Sequence, residues 1–161
     1  MPATRPVPAI DAALMLDNQL CFALYSASLA MTKLYKPLLA ALGLTYPQYL
    51  VMLVLWEQGT VTVSELGARL SLDSGTLTPL LKRMESAELL RRARSSADER
   101  RVQVTLSAAG RKLKARAARV PGCVVRASGC PVPELVSLTR QVRALRDQLA
   151  AVPPQRNTVT A

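Results

Sequence analysis

The 161-residue chain contains no histidine. That absence removes Ser-His and Cys-His catalysis and leaves no ordinary histidine-containing metal site, so neither a metal nor another cofactor is expected. Cysteine is scarce, with three residues in all. Cys123 and Cys130 are close in sequence and Cys21 is remote, a spacing that suits neither zinc nor a structural disulfide framework. Such thiols fit a reducing compartment, where a disulfide is transient and sensory. No apolar run is long enough to span a bilayer, and the proline-rich start lacks a signal-peptide pattern, so the cytoplasm is the expected location. Repeats, low-complexity tracts and interdomain linkers are also missing, which suggests one folded unit with two loose ends. Acidic residues are few as well, 11 against 21 Lys and Arg, and the net charge of +10 favours a polyanion. An anionic membrane surface would satisfy the charge balance alone.

What is present concentrates between Val61 and Gly110. Ser64 can cap a short helix with Leu66 and Leu70 on one side, and Glu65 suits the positive end of its dipole. After the interruption Ser71-Leu72-Asp73, the small, hydroxyl-rich run Ser74 to Pro79 reads as the start of a second helix that continues through Leu80, Leu81 and Met84. Its polar face carries Ser74, Thr76, Thr78, Lys82 and Arg83, groups that reach base edges or phosphates when a helix N-terminus enters a major groove. A cap at Thr76 would leave Pro79 harmless in the first turn, whereas a cap at Asp73 would place it where a backbone bond is lost.

Beyond Leu90 come Arg91, Arg92 and Arg94, a polar tip from Ser95 to Glu99, then Arg100 and Arg101. Val102, Val104 and Leu106 alternate with polar residues, the period of a half-buried strand. A hairpin with five arginines near its tip suits phosphates or a minor groove. Asp98 could brace the Arg100 guanidinium through a bidentate pair. Helix, turn, helix and basic hairpin in that order describe a winged helix-turn-helix, and double-stranded operator DNA is the expected partner. A solvated charged loop is the alternative for the hairpin taken alone.

The remainder reads as helix. Apolar residues recur at helical spacing from Leu14 to about Leu42, with a start near Asp17 and a weak point at Pro37. A further helix begins at Tyr46-Pro47, and the basic segment Ser107 to Val120 is expected to stop at Pro121-Gly122. Leu135, Leu138, Val142, Leu145 and Leu149 form a stripe that wants a partner helix, and together with the apolar N-terminal helix it favours a homodimer. The expected organisation is a flexible arm (1–12), helical dimerisation segments (13–60 and 107–150), the DNA-binding region (61–106) and a flexible tail (151–161). The fold class is mainly α with a small β-hairpin wing.

Cys21 points beyond plain DNA binding. A helix capped at Asp17 would hold it in or just beyond the first turn, where the dipole favours negative charge, and a thiolate is the form that peroxides attack. Tyr25 lies one turn on and could donate to the sulfur. Tyr35 lies roughly 20 Å further along the helix and could meet Cys21 only from another subunit. The alternative is that Cys21 is a small packing residue, as free cysteines commonly are.

The runs Leu16 to Tyr25, Leu44 to Tyr49, Leu72 to Leu81 and Asp98-Glu99-Arg100 closely resemble the organic-hydroperoxide-sensing repressors of the MarR family, the OhrR type, over about Leu16 to Gly122. The resemblance implies a MarR-like dimer that is not an enzyme and that releases its operator when organic hydroperoxide oxidises Cys21. It also implies that Tyr25, Tyr35 and Tyr46 surround the cysteine, some across the dimer, and that Asp98 and Arg100 serve the wing, where the hairpin reading adds Arg94 as a DNA contact. In two-cysteine members a disulfide then forms with a C-terminal cysteine of the other subunit. Where the family pattern often has that cysteine, this chain has Arg126, with Cys123 and Cys130 on either side, so both are resolving candidates; the Pro121-Gly122 corner slightly favours Cys123. Two rivals stay open. One is a MarR-type repressor sensing a phenolic ligand with Cys21 incidental, and the other is a thiol peroxidase.

Overall fold

The structure, a computed structural model, describes residues 12–153 except 97 and 99. Most of the expected arm and tail, and Ala97 and Glu99 of the expected wing tip, therefore lie outside the described residues. The packing separates two units at the Val120–Pro121 bond, where the sequence suggested one.

The first unit opens with a 3₁₀ turn, Leu16–Asn18, followed by α1 (Leu20–Ala40) and α2 (Tyr46–Gln58). Asp17 sits in that turn and does not cap the long helix. The cap position falls to Gln19, whose side chain makes no capping bond. Pro37 does not end α1 either; it lies inside the helix, which runs on to Ala40. Helix α2 starts as expected. The Thr45 hydroxyl accepts from the Gln48 N–H at 3.5 Å, and the Gln48 side chain accepts from the Thr45 N–H at 2.8 Å. That reciprocal pair satisfies two donors that a helix start otherwise leaves free.

Next come β1 (Thr60–Thr62), α3 (Val63–Leu70), α4 (Ser74–Ser86), β2 (Leu90–Arg94), β3 (Val102–Leu106) and α5 (Ala108–Ala117). Thr62, not Ser64, caps α3: its hydroxyl accepts from the Glu65 N–H at 3.2 Å while Glu65 Oε2 accepts from the Thr62 N–H at 2.7 Å. Ser64 is thus the second residue of the helix, in the first turn behind a cap two residues earlier. Between α3 and α4 the chain turns through Ser71, whose φ of 54° lies in the left-handed region. The turn folds back so closely on α3 that a Cβ on Gly67 would stand 2.9 Å from the Leu72 carbonyl oxygen.

The antiparallel sheet has the order β1-β3-β2, which leaves β2 on a free edge. Thr60 pairs with Thr105 and Val61 with Val104, while Leu90 pairs with Leu106 and Arg92 with Val104. Alternation turns Val61, Val104, Leu90 and Leu106 inward, where they join Met52, Leu55, Leu66, Leu77, Leu81 and Met84 in the core. Each such side chain contributes about 1.5–3 kcal/mol by leaving water. Ser107 caps α5, and the Trp56 indole N–H donates to the Gly110 carbonyl at 2.9 Å, tying α2 to α5.

The basic helix ends at Ala117 and not at Val120, and Pro121-Gly122 does not act as its stop. A new one, α6 (Val120–Ser128), begins at this point with the proline in its first turn, a place where the missing N–H costs nothing. In the second unit, α7 (Val132–Ala151) carries the expected stripe. Leu138, Val142 and Leu149 are 46%, 45% and 62% exposed, and no residue of the helix is buried. Along α1, Leu20, Tyr25 and Leu29 are also open to solvent.

Candidate functional site

Helix α4 divides cleanly by face. Leu77, Leu80, Leu81 and Met84 are buried, while Ser74, Thr76, Lys82 and Arg83 are exposed and Thr78 is half-buried. The cap is Asp73: its Oδ1 accepts from the Thr76 N–H at 2.9 Å and its Oδ2 from the Thr76 hydroxyl at 3.0 Å. Pro79 is consequently inside the helix, where its missing N–H leaves the Gly75 carbonyl without a helical donor. The Thr76 hydroxyl is committed as a donor to Asp73, so toward another molecule it can only accept.

The five wing arginines are not equivalent. Arg92 is bound to Glu85 at 2.7 Å, and Arg101 lies 4.0 Å from Glu65. Arg91, Arg94 and Arg100 are exposed and form no ion pair among the described residues. Asp98 does not pair with the Arg100 guanidinium as expected. Its Oδ1 accepts from the Arg100 backbone N–H at 3.0 Å, and its carbonyl accepts from the Arg101 N–H at 2.9 Å. The carboxylate thereby shapes the turn and, among the described residues, leaves the Arg100 fork without an ion-pair partner.

Hydrogen bonds hold three carboxyls below their usual range: Glu65 through the Thr62 backbone and hydroxyl, Asp73 through Thr76, and Glu85 through Arg92. Their stabilising effect is complete above the ordinary values of 4.5 and 3.8 and is lost as pH falls through the lower folded-state values. Melting followed by circular dichroism should therefore show a lower midpoint at about pH 3 than at about pH 6, with the wing and α4 most affected.

Cys21 is the second residue of α1 and is exposed. Because Gln19 supplies no side-chain cap, the first N–H groups of α1 have no partner from that side chain. Tyr25 is 61% exposed and makes no hydrogen bond to Cys21 within the protomer, contrary to expectation. Tyr35 and Tyr46 do come together, with ring centroids 4.9 Å apart. They are joined by Tyr49, 5.9 Å from Tyr35, which sequence reasoning missed. Its position three residues after Tyr46 on one helix face was the available signal. Burial pushes all three phenols above 10.0, so they are hydroxyl donors at neutral pH. In the second unit Cys123 and Cys130 are half-buried free thiols. Arg126 Nη2 donates to Cys123 Sγ at 3.4 Å, and the Cys130 N–H donates to Ser128 Oγ at 3.3 Å. The described residues contain no group of side chains that could hold a metal ion, and none of their helices is long and apolar enough to cross a membrane.

A family model described as transcriptional regulator SarA/Rot matches residues 33–117. The organic hydroperoxide resistance transcriptional regulator of Bacillus subtilis is 56% identical over 110 residues, which cover 68% of this chain and 75% of the relative. Reduced AbfR bound to DNA, a protein of Staphylococcus epidermidis, superposes with a TM-score of 0.67 at 34% identity over 85% of this chain and 96% of AbfR. Disulfide-formed AbfR gives 0.57 at 32% identity over 88% and 94%. With a winged helix built from the same elements as these regulators, the chain belongs to the MarR-type transcriptional regulators and is of the organic hydroperoxide resistance (OhrR) type.

Proposed function

We propose that this protein is a homodimeric repressor that binds operator DNA while Cys21 is reduced and releases it when an organic hydroperoxide oxidises that thiol. The observation that carries the reading is an exposed cysteine at a helix start without a side-chain cap, in a chain 56% identical to a hydroperoxide resistance regulator. DNA contact would fall to Ser74, Thr76, Thr78, Lys82 and Arg83 on α4 and to Arg94 and Arg100 on the wing, with Asp98 ordering the turn. The wet apolar stripes of α1 and α7 support a dimer, since contiguous exposed apolar surface marks an interface.

Oxidation would convert the Cys21 thiolate and the hydroperoxide to a sulfenic acid and an alcohol. Attack by Cys123 or Cys130 of the partner subunit would then form a disulfide and expel water. Tyr25, Tyr35 and Tyr46 would line the reacting thiol in the dimer. Support for the disulfide step is that the relative AbfR, 32% identical to this chain, has a disulfide form. The phenolic-ligand reading gains nothing from two cavities of about 390 Å³ in the first unit, one near Thr60 and Arg111 and one near Glu85 and Glu88, neither of which has an aromatic lining.

A DNA-shift assay with reduced and cumene-hydroperoxide-treated protein, run beside a non-reducing gel and peptide mapping, tests the proposal. Release by hydroperoxide but not by salicylate, with a Cys21 link to one C-terminal cysteine, is expected; release by salicylate alone would overturn it. Arg100→Ala should weaken operator binding by about 1–3 kcal/mol in a fluorescence anisotropy titration. Its response to hydroperoxide should be unchanged.

A further inference from the structure

The C-terminal turn of α4 is stitched to the wing by one side chain. Glu85 Oε1 accepts from the Arg92 backbone N–H at 2.9 Å, and its Oε2 accepts from Arg92 Nε at 2.9 Å and Nη2 at 2.7 Å. Three charge-assisted bonds thus meet on one carboxylate. The backbone bond is informative, because β2 is the edge of the sheet and the Arg92 N–H faces away from β3. Glu85 takes the place that a neighbouring strand would fill. The two side chains are only 36% and 22% exposed, well short of the freely solvated pairs that contribute little.

Between α4 and β2 the connection is three residues, Ala87 to Leu89, turning through Glu88 at φ 56°. It is closed by the Glu88 N–H to the Glu85 carbonyl at 2.9 Å and the Leu89 N–H to the Met84 carbonyl at 3.0 Å. Those bonds fix where the wing leaves the helix. They act below the hairpin and leave its tilt to the sheet pairing, to the Glu85 clamp and to the longer, more exposed Arg101–Glu65 pair at 4.0 Å. A five-residue strand is about 17 Å long, so a tilt of about 10° at its base moves the tip by about 3 Å, enough to break a hydrogen bond to DNA.

We propose that Glu85 is a positioning residue that sets the wing against α4, so that Arg100 and the α4 side chains engage one DNA duplex in register. This rests on the DNA-binding reading above. Glu85 need not touch DNA; its effect passes through Arg92 and the hairpin.

The test is a double-mutant cycle on the full-length reduced protein, read by anisotropy with a duplex selected from a random pool by the wild-type chain. Arg100→Ala should cost about tenfold or more in affinity in the wild-type background and about twofold or less beside Glu85→Gln, as expected for coupled residues. Glu88→Gln, which removes a charge of the same sign from the same turn, should leave the Arg100 cost at its wild-type size. Arg92→Lys keeps the charge but loses the fork and should reproduce part of the decoupling, giving a second route if Glu85→Gln folds poorly. An Arg100 cost that is the same in the wild-type and Glu85→Gln backgrounds overturns the proposal. So does an equal loss of coupling with Glu88→Gln, which would assign the effect to net charge. No cost of Arg100→Ala in the wild type would instead sink the wing's role in DNA binding.

Discussion

Cys21→Ser is expected to bind operator DNA with wild-type affinity and to stay bound at hydroperoxide doses that release the parent protein. Serine preserves the size of the side chain at an exposed position, so folding and packing have nothing to lose. It cannot form a thiolate, so the oxidation step has no nucleophile. The expected change in responsiveness is complete, which is larger than any single contact in the DNA interface can produce. A gel shift across a cumene hydroperoxide series checks it, with intact mass showing no added oxygen at residue 21. Normal release by this variant would move the sensor elsewhere in the chain.

Gly110→Ala carries the largest expected cost in stability. A Cβ built there would lie 2.1 Å from the Leu89 carbonyl oxygen and 3.1 Å from a Leu106 methyl. The first obstacle is backbone, and that oxygen already accepts from the Ser107 N–H at 3.1 Å. Helix α5 would have to move off the base of the wing, and doing so would strain the Ser107 cap and the Trp56 bond to Gly110 together. We expect a loss on the order of 3 kcal/mol, the upper range for overpacking, and a thermal midpoint lower by roughly 10 °C. A midpoint within about 2 °C of wild type would mean that α5 can shift freely.

The winged helix was legible because its signals are local. The hydroxyl-rich start of α4, the alternation in β3 and the Tyr46-Pro47 start of α2 each need only a few neighbouring residues. Caps were less legible. Thr62 and Ser64 both precede a plausible first turn, and only Glu65 three residues after Thr62 selects between them. Pro121 was misread because proline fits equally after a helix or in the first turn of the next. Nothing local announces that Glu85 will reach Arg92 around a turn, and the spacing of Tyr49 from Tyr46, the one local signal for it, does not reveal that both meet Tyr35. The environment of Cys21 was the least legible part. One protomer leaves it exposed beside an equally exposed Tyr25, and a second chain has no mark in local periodicity beyond the stripes it would cover.

Trp56 is the chain's one tryptophan, and its indole holds the junction between α2 and α5 while its ring lies edge-on to Tyr49 at 6.4 Å. Native emission is therefore a single-site optical signal from the base of the wing. If α5 parts from α2, the indole exchanges a carbonyl acceptor for water and its emission shifts to the red. Light absorbed by the tyrosine cluster feeds the same reporter, so the protein carries its own label where the DNA-reading elements join the rest of the fold.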